Sequence, residues 1–294
     1  MLATYRDLPR VKAMIVMATE MLGFDVLAVC QQGPESQLEQ TVICQPIMYI
    51  ASMLAVEKLH EERPEAAERP GAVAGLSLGE YAALTVAGVF DFETGLRLVQ
   101  VRAAAMDEAS KASPQAMLSV AGIDRDTLRG LCREVSKSKG GAVVQIANEL
   151  FPKGLTCSGT AEAIEALKEL AGQKGALQTK ILKTAGAFHT SFMQPARAKL
   201  LTALTEALPK MRPPTCNVFM NSTGKCVATG THPREIIRML ADGLTSVVLW
   251  EDCVRNMIAS GMEEFYEVGP MKQLKAMMKR VDQGAWGKTK NVEI

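Results

Sequence analysis

The sequence predicts an α/β fold in which a larger domain is interrupted by a smaller one. Helical apolar spacing alternates with short strand-like runs in the first and last parts of the chain. Between them lies a stretch with the order β-α-β-β-α-β, which is typical of a ferredoxin-like subdomain. We therefore expect a discontinuous core of residues 1–112 and 185–294, with residues 113–184 as the inserted subdomain.

The first third of the chain is predicted to be mostly helical. One helix begins at Gln45-Pro46, where the first turn tolerates proline, and runs to about Glu62. A short buried strand covers 72–76, and Ser77 stands at its end. Asp91 is the expected N-cap of the next long helix, which carries apolar residues along one face.

The rest of the chain continues the alternation. In the inserted subdomain we expect strands over 116–122, 142–147, 154–158 and 176–182, and helices over 124–135 and 161–174. After His189 we expect a strand in "CNVFMNS", a helix in "HPREIIRMLADGL", a strand in "EEFYEVGP" and a closing basic helix in "MKQLKAMMKRV".

Composition excludes several function classes. The 294 residues carry a net charge of +1 and are 22% charged, so nucleic acid and anionic membranes are not expected partners. No stretch approaches the ~20 apolar residues of a membrane-spanning helix, and charges such as Arg6 and Asp7 argue against a signal peptide. The seven scattered cysteines and three histidines lack metal-ligand spacing, which predicts free thiols in a reducing compartment and no metal.

The stretch "GLSLG", residues 75–79, has the G-x-S-x-G pattern of a nucleophile elbow between a strand and a helix. In such an elbow the glycines allow a sharp turn that exposes the Ser77 hydroxyl, and the N–H of Leu78 points towards a developing oxyanion. The alternative is a small-residue turn that only joins the two elements. A serine also needs a base to take its proton.

Three histidines could supply that base. His60 lies among charged residues at a helix end, and His232 precedes a proline in a turn, so both are expected at the surface. His189 follows an apolar strand through small residues, and strand ends are where catalytic side chains of α/β folds gather. His189 is the best candidate, although a buried structural histidine is the alternative.

Arg102 lies on a helix next to three consecutive alanines. A helix arginine commonly extends its charge to solvent. A guanidinium that faces a cleft can instead bind a carboxylate through two parallel hydrogen bonds. Spacing alone does not choose between these two interpretations.

Five motifs together resemble the malonyl-CoA:acyl carrier protein transacylases, most closely the plastid-type enzymes. They are "GLSLGEYAAL", "LRLVQVRAAAM", "VQIANELFP", "TAGAFHTSFMQPA" and "FYEVGPMKQLKAMMKRV". The resemblance covers nearly the whole chain. It implies an α/β-hydrolase-like core with a ferredoxin-like insert, and a plastid or cytoplasmic location.

The resemblance also implies roles for single residues. Ser77 would be the acylated nucleophile, His189 its base, and Arg102 the group that holds the malonyl carboxylate. Phe188 matches the bulky residue that accompanies malonyl selectivity, and Asn148 the asparagine of a motif near the pocket. The partners would be malonyl-CoA and an acidic acyl carrier protein that docks on a basic surface. The enzyme would need no cofactor and act as a monomer.

The sequence departs from the family pattern in three places. Family members begin with a strand and a PGQG loop whose glutamine supplies a second oxyanion contact, and nothing here matches it, so the chain is expected to start just downstream. The segment that orients the histidine through a carbonyl oxygen, Pro-Val-Gln-Trp or Pro-Val-Arg-Trp in the family, is Val247-Val248-Leu249-Trp250. The family's GPGK becomes Gly269-Pro270-Met271-Lys272.

Two other classes of function stay open at this point. A non-catalytic remnant that binds a carrier protein would fit the missing loop. A serine hydrolase or thioesterase would need an acidic side chain between the serine and the histidine to orient the base. The aspartates in that interval are Asp91, Asp107, Asp124 and Asp126.

Overall fold

Helices surround three groups of strands in the computed structural model, which describes residues 8–183 and 186–294. The helices are α1 Pro9–Leu22, α2 Val26–Gln32, α3 Glu35–Leu38, α4 Thr41–Glu62, α5 Pro64–Glu68, α6 Gly79–Val86, α7 Phe92–Ser110, α8 Arg125–Ser138, α9 Ala161–Gln173, α10 Gln194–Ala207, α11 Pro233–Gly243, α12 Trp250–Ala259, α13 Gln273–Val281 and α14 Gln283–Gly287. The strands are β1 Ala72–Ala74, β2 Gln115–Ala121, β3 Val144–Phe151, β4 Gly154–Thr160, β5 Gln178–Ile181, β6 Asn217–Phe219, β7 Cys226–Val227, β8 Val248–Leu249, β9 Phe265–Val268 and β10 Thr289–Val292.

Helix α4 begins earlier than predicted, at Thr41, and contains Pro46 in its interior. Before the proline, the N–H groups of Ile43 and Cys44 both bond to the carbonyl oxygen of Gln40, so the first turn forms without a contribution from the proline nitrogen. Proline therefore removes one hydrogen bond and does not end the helix.

Helix α4 also corrects the expectation that no segment approaches membrane-spanning length. Among the described residues it is long and apolar enough to cross a membrane by length and composition, and the bent pair α1 and α2 passes the same test only if taken as one span. Of the apolar window in α4, 56% is buried within the fold. Its Tyr49 hydroxyl lies 2.9 Å from the Thr85 hydroxyl, which is the packing of a core helix.

The strands fall into three sheets among the described residues. One has the order β1-β6-β7, with β1 and β6 parallel, and a second pairs β9 and β10 in parallel. The third has the order β5-β2-β4-β3-β8. Its first four strands, with α8 and α9, follow the β-α-β-β-α-β order predicted for the middle of the chain, whereas β8 comes from the segment after α11.

Strand β8 pairs in parallel with β3, with Asn148 opposite Val248 and Glu149 opposite Leu249. The segment from β2 to β5 thus has a core of its own between its strands and α8 and α9, centred on buried residues such as Leu118, Leu128 and Leu167. It also shares the edge of its sheet with a later part of the chain. The predicted domain boundary between 184 and 185, like the charges at Arg6 and Asp7, lies outside the described residues.

An apolar cavity of about 650 Å³ lies between β1 and β9. Residues of both strands line it, together with α4 and the methionine-rich side of α13. Its wall includes Leu76, Leu78 and Gly79 on one side and Leu274 and Lys275 on the other. The cavity therefore connects the turn that carries Ser77 with the basic helix near the end of the chain.

The turn between β1 and α6 depends on a close approach of two backbone segments. A Cβ atom placed on Gly75 would lie 1.9 Å from the carbonyl carbon of Gly79, so only glycine fits at position 75. Ser77, between them, has a φ of 52°, in the left-handed region that non-glycine residues rarely adopt. The chain thus reverses within five residues and presents the serine at the start of α6.

Replacing Gly75 with alanine is expected to lower the free energy of unfolding by about 3 kcal/mol or more, because the added methyl group collides with backbone that cannot move aside. Gly79→Ala is the matched control: nothing lies within 4 Å of its added Cβ, and alanine favours the helix that begins there. Urea denaturation of both variants measures the difference. Equal stability of the two variants would contradict this account of the turn.

Candidate active site

The structure brings Ser77, Arg102 and His189 together although they are far apart in sequence. The Ser77 hydroxyl oxygen lies 3.0 Å from Nε2 of His189. The same oxygen accepts a hydrogen bond of 2.8 Å from Nη2 of Arg102. These three side chains come from the turn after β1, from α7 and from the loop before α10, and they meet at the carboxyl end of β1.

The hydrogen-bond partners fix the direction of the serine proton. Arg102 can only donate, so the Ser77 oxygen accepts from it and its own proton points to Nε2 of His189. The other ring nitrogen, Nδ1, lies 2.8 Å from the carbonyl oxygen of Gly243, which can only accept. His189 is therefore protonated on Nδ1 and presents a free lone pair to the serine, as a general base requires.

Arg102 is buried, with 3% of its surface exposed, so the solvent-exposed interpretation of this arginine is wrong. Its Nη1 donates a 2.5 Å hydrogen bond to Oε1 of Gln45, a residue on α4 that the sequence did not single out. The Tyr81 ring lies 5.9 Å from the guanidinium carbon. Burial lowers the pKa of Arg102 from its usual value, and nearby Tyr81 and Glu80 oppose this effect.

His189 is 5% exposed, and its φ of 63° places it, like Ser77, in the left-handed region. Burial, assisted by the positive charge of Arg102, lowers the pKa of His189 to about 4. The imidazole is therefore neutral near pH 7. A neutral imidazole is the state that can accept the serine proton.

The carbonyl oxygen that orients His189 comes from a different residue than expected. The sequence placed it in the segment 247–250, but the hydrogen bond from Nδ1 goes to Gly243, the last residue of α11. The last carbonyl groups of a helix have no intrahelical partner, so one of them is available to accept from a side chain. Leu249, which replaces the family's polar residue, does not take part in this hydrogen bond.

Two further residues near Ser77 were not found from the sequence. Asn221 accepts a hydrogen bond from the N–H of Ser77, at 2.5 Å, and Glu80 accepts one from the N–H of Asn221, at 2.7 Å. Burial raises the pKa of Glu80 to about 7, against the hydrogen bond from Asn221 and the charge of Arg102. The only sequence signal for Asn221 is its place near the end of the predicted strand "CNVFMNS".

The remaining predicted site residues lie on separate elements of the structure. Leu78 precedes the first residue of α6, so its N–H lies outside the helical hydrogen bonds. Phe188 packs over Gly186, close to Ser110. Asn148 lies on β3, where its amide bonds to the Thr156 hydroxyl.

The structure also places the residues of the alternatives. Each of the four aspartates considered for a hydrolase triad bonds to its own helix: Asp91 to Thr94, Asp107 to Lys111, Asp124 to Thr127 and Asp126 to Arg129. His189 is instead oriented by a backbone carbonyl group. The part of the chain that the structure describes contains no group of three or more His, Cys, Asp or Glu side chains that could hold a metal ion.

His60 and His232 both lie away from the serine. Nε2 of His60 is 3.3 Å from a carboxylate oxygen of Glu68. His232 caps the start of α11 and accepts a hydrogen bond from the N–H of Arg234. Of the three histidines, His189 is thus the one in contact with Ser77.

The pKa values of His189 and Glu80 have opposite effects on stability. The pKa of His189 falls from 6.5 to about 4 on folding. Its contribution to the free energy of unfolding is therefore complete above pH 6.5 and is lost as the pH falls through 4. The pKa of Glu80 rises from 4.5 to about 7 on folding. Its contribution to the free energy of unfolding is therefore present below pH 4.5 and is lost as the pH rises through 7. Between about pH 4.5 and 6.5 the two effects oppose each other.

His189→Gln removes only the histidine contribution. We expect the free energy of unfolding of the wild type, minus that of His189→Gln, to rise between pH 4 and 6.5 by up to about 1.4 kcal/mol per pH unit. Urea denaturation of both proteins in the same buffers measures this difference. A difference that stays constant over this range would show that folding does not shift the pKa of His189.

Comparison with known proteins gives one consistent result. Residues 12–291 match the family described as "Acyl transferase domain". A mouse protein named malonyl-CoA-acyl carrier protein transacylase, mitochondrial, is 38% identical over 98% of this chain and 76% of its own length. The enzyme of that name from Escherichia coli K12 is 34% identical over 93% of this chain and 85% of its own length.

Solved structures agree with the sequence relatives. An acyl carrier protein S-malonyltransferase from Vibrio cholerae superposes with a TM-score of 0.88 at 31% identity, covering 100% of this chain and 92% of that one. A malonyl-transacylase solved in complex with its type II polyketide carrier protein superposes with a TM-score of 0.89 at 29% identity. This match covers 100% of this chain and 91% of that one. The mixed α/β fold is thus the fold of these enzymes, and the chain belongs to the acyl transferase domain family.

Proposed function

We propose that this chain is a malonyl-CoA:acyl carrier protein transacylase, which moves a malonyl group to the phosphopantetheine thiol of a carrier protein. One observation carries this proposal: a buried guanidinium and a neutral histidine contact the same serine oxygen. The histidine can take the serine proton, which acyl transfer through a serine ester requires, and the guanidinium selects an acyl group with a free carboxylate. The names of the relatives agree with this reaction.

In the first half-reaction Ser77 attacks the thioester carbonyl carbon of malonyl-CoA while Nε2 of His189 takes its proton. The N–H of Leu78 donates to the oxyanion of the tetrahedral intermediate. When the intermediate collapses, the C–S bond breaks, and the leaving CoA thiolate takes the proton from His189. The product is a malonyl ester on Ser77.

The second half-reaction reverses these roles. The phosphopantetheine thiol gives its proton to His189 and attacks the ester carbonyl carbon. The C–O bond to Ser77 breaks, and the serine oxygen recovers its proton from His189. The proton passes only between the serine, the histidine and the thiols, and the acyl group passes only between the thiols and the serine. The proposed reaction therefore uses no metal or redox cofactor.

Arg102 gives the proposed site its substrate class. The guanidinium is buried, so water solvates little of its positive charge. A malonyl carboxylate that takes the place of the serine as hydrogen-bond partner would neutralise this charge. An acetyl group would leave Nη2 of Arg102 without the charged hydrogen-bond partner that a carboxylate provides. Gln45 holds Nη1 of Arg102, so the guanidinium is oriented before substrate arrives.

Phe188 and Asn148 are proposed to shape the pocket around the malonyl group. Phe188 directly precedes His189 in the sequence, and its ring is proposed to limit the space for the acyl group next to the histidine. Asn148 lies on β3. Gln145, on the same strand, donates a 3.4 Å hydrogen bond from its side-chain amide to the carbonyl oxygen of His189. The proposed role of Asn148 rests on its match to the family motif, and that of Phe188 rests on the same match and on its position directly before His189.

We also propose the domain division suggested by the sequence. Residues 113–184 would form a ferredoxin-like subdomain, and residues 1–112 and 185–294 an α/β-hydrolase-like core. The sheet order β5-β2-β4-β3 with α8 and α9 supports the first part. The parallel pair β1 and β6, with the serine at the end of β1, supports the second.

The carrier protein is proposed to dock on α13. Acyl carrier proteins are acidic, and this helix carries exposed or half-exposed Lys275, Lys279 and Arg280, with Lys272 just before it. Lys275 also lines the cavity that reaches the serine turn. Lys137 and Lys139, in the inserted segment, form a second candidate surface, although Lys139 is paired with Glu162.

Oligomeric state and compartment are proposed from the site and the thiols. Ser77, Arg102 and His189 come from one chain, so their contacts need no second copy of it, and we propose a monomer. The seven cysteines are free, which fits a reducing compartment. The expectation of a plastid location has no support among these relatives, since the mouse protein is named as mitochondrial.

Ser77 is expected to be the covalent site. Brief exposure of the protein to malonyl-CoA should add one malonyl group to the intact mass, and Ser77→Ala should remove the adduct. Ser119→Ala, on β2 of the inserted segment, is the control and should keep it. An adduct that persists in Ser77→Ala overturns the assignment, and no adduct on the wild type would favour a non-catalytic remnant.

Arg102→Ala is expected to reduce the preference for malonyl-CoA over acetyl-CoA by at least ~10-fold, since the unpaired buried cation costs roughly 1.4 kcal/mol or more. Arg102→Lys should restore the preference only in part, because an ammonium group cannot form two parallel hydrogen bonds. The measurement is kcat/KM for both thioesters. Arg97→Ala is the matched control, since Arg97 lies on the same helix and pairs with Glu93 at the surface.

Charge reversal on α13 is expected to raise the KM for carrier protein. Lys275→Glu combined with Lys279→Glu should raise it several-fold at low salt, and the difference should shrink at physiological salt because exposed charges are screened within ~8–10 Å. Lys168→Glu on α9 is the control. If all variants share one KM at every salt concentration, carrier protein docks elsewhere.

A further inference from the structure

The side chain of Asn221 binds both ends of the turn that carries Ser77. Its Oδ1 accepts the 2.5 Å hydrogen bond from the N–H of Ser77, and its Nδ2 donates a 2.9 Å hydrogen bond to the carbonyl oxygen of Gly75. One amide group therefore holds two backbone groups that are two residues apart. Asn221 is 1% exposed, so water does not compete for these bonds.

The strand pairing explains why an asparagine is suited to this position. Strands β1 and β6 are parallel, and their pairing ends with Ala74 opposite Phe219. Beyond this pair the chain turns away at Gly75, so the backbone of β6 cannot continue the ladder. The amide of Asn221, two residues beyond Phe219, offers one acceptor and one donor as a peptide group would, and it satisfies the next two backbone groups of the turn.

Asn221 is itself held from two other elements. Its N–H donates to Oε1 of Glu80, on the first turn of α6, and its carbonyl oxygen accepts a 2.9 Å hydrogen bond from the N–H of Leu249 on β8. Glu80 is 5% exposed. These bonds fix the backbone of Asn221 at the position from which its side-chain amide reaches the serine turn.

The conformation of Ser77 is the feature that needs this support. A serine with a φ of 52° relaxes towards the right-handed or extended region unless its surroundings prevent it. Such a relaxation would move the hydroxyl group away from Nε2 of His189. The bond to Asn221 also occupies the N–H of Ser77, which leaves the N–H of Leu78 as the donor that this turn can offer to an oxyanion.

We propose that Asn221 is a positioning residue that holds Ser77 in its reactive conformation, and that Glu80 keeps the backbone of Asn221 in place. The proposal rests on the proposed acyl transfer through Ser77. Asn221 does not contact the reacting atoms. Its loss should therefore lower the rate of chemistry and leave the binding of malonyl-CoA largely unchanged.

The test compares Asn221→Ala with Asn221→Asp. A displacement of the nucleophile by about 1 Å costs on the order of 10²-fold in rate, so kcat for malonyl transfer should fall 10- to 100-fold in Asn221→Ala with KM for malonyl-CoA changed less than threefold. Asn221→Asp has the same size and keeps an acceptor for Ser77, but it cannot donate to Gly75. It should also lose at least 10-fold in kcat, and it serves if the alanine variant does not fold.

Asn256→Ala is the matched control for stability. Asn256 donates a 2.8 Å hydrogen bond to the carbonyl oxygen of Gly224, in the turn that follows Asn221, but it does not touch the serine turn. It should lower the melting temperature and leave kcat unchanged. Glu80→Ala should lower kcat, and Glu80→Gln, which keeps an acceptor for the N–H of Asn221, should retain more of it than Glu80→Ala.

The outcomes separate the inference from the proposed function. If the wild type forms no malonyl ester, the proposed function fails whatever the variants do. If the wild type transfers malonyl and both Asn221 variants keep kcat within threefold, the positioning role is wrong. If Asn256→Ala lowers kcat as much as Asn221→Ala does, the loss reflects general destabilisation, and the positioning role is again wrong.

Discussion

The contact between Gly75 and the backbone of Gly79 is the constraint on which the candidate site depends. Because the two segments approach so closely, the chain must reverse direction between β1 and α6, and Ser77 must adopt a left-handed backbone. That conformation aims the hydroxyl group at His189 and Arg102, and it places the N–H of Leu78 ahead of the first helical turn. A larger residue at position 75 would remove all of these relations together.

Charge and burial determine the chemistry at this turn. The surrounding apolar core and the guanidinium of Arg102 both oppose a positive charge on His189, so the imidazole stays neutral and its Nε2 lone pair is free for the serine proton. The same burial favours an acyl group that brings its own carboxylate to the guanidinium, because water reaches little of this side chain. One cation thus influences both the protonation of the base and the selection of substrate.

The sequence predicted the chemical groups of this centre better than the groups that support them. Ser77 and His189 lie in local patterns, because a strand, a turn and a helix can be recognised within ten or twenty residues, whereas the role of Arg102 came from the family resemblance. The supporting contacts join positions far apart in the chain, and one of them uses a backbone carbonyl oxygen, which every residue has. They involve Gln45, Asn221 and Gly243.

Strand β8 was not predicted, because two residues carry no recognisable alternation and its partner β3 lies about a hundred residues earlier. Its pairing makes the sheet of the inserted segment continuous with the chain after α11, and Leu249 also bonds to Asn221. A hinge rotation of the insert would have to break this sheet and disturb the serine turn. The same two-residue strand therefore fixes the edge of this sheet through β3 and the backbone of Asn221 behind the serine turn.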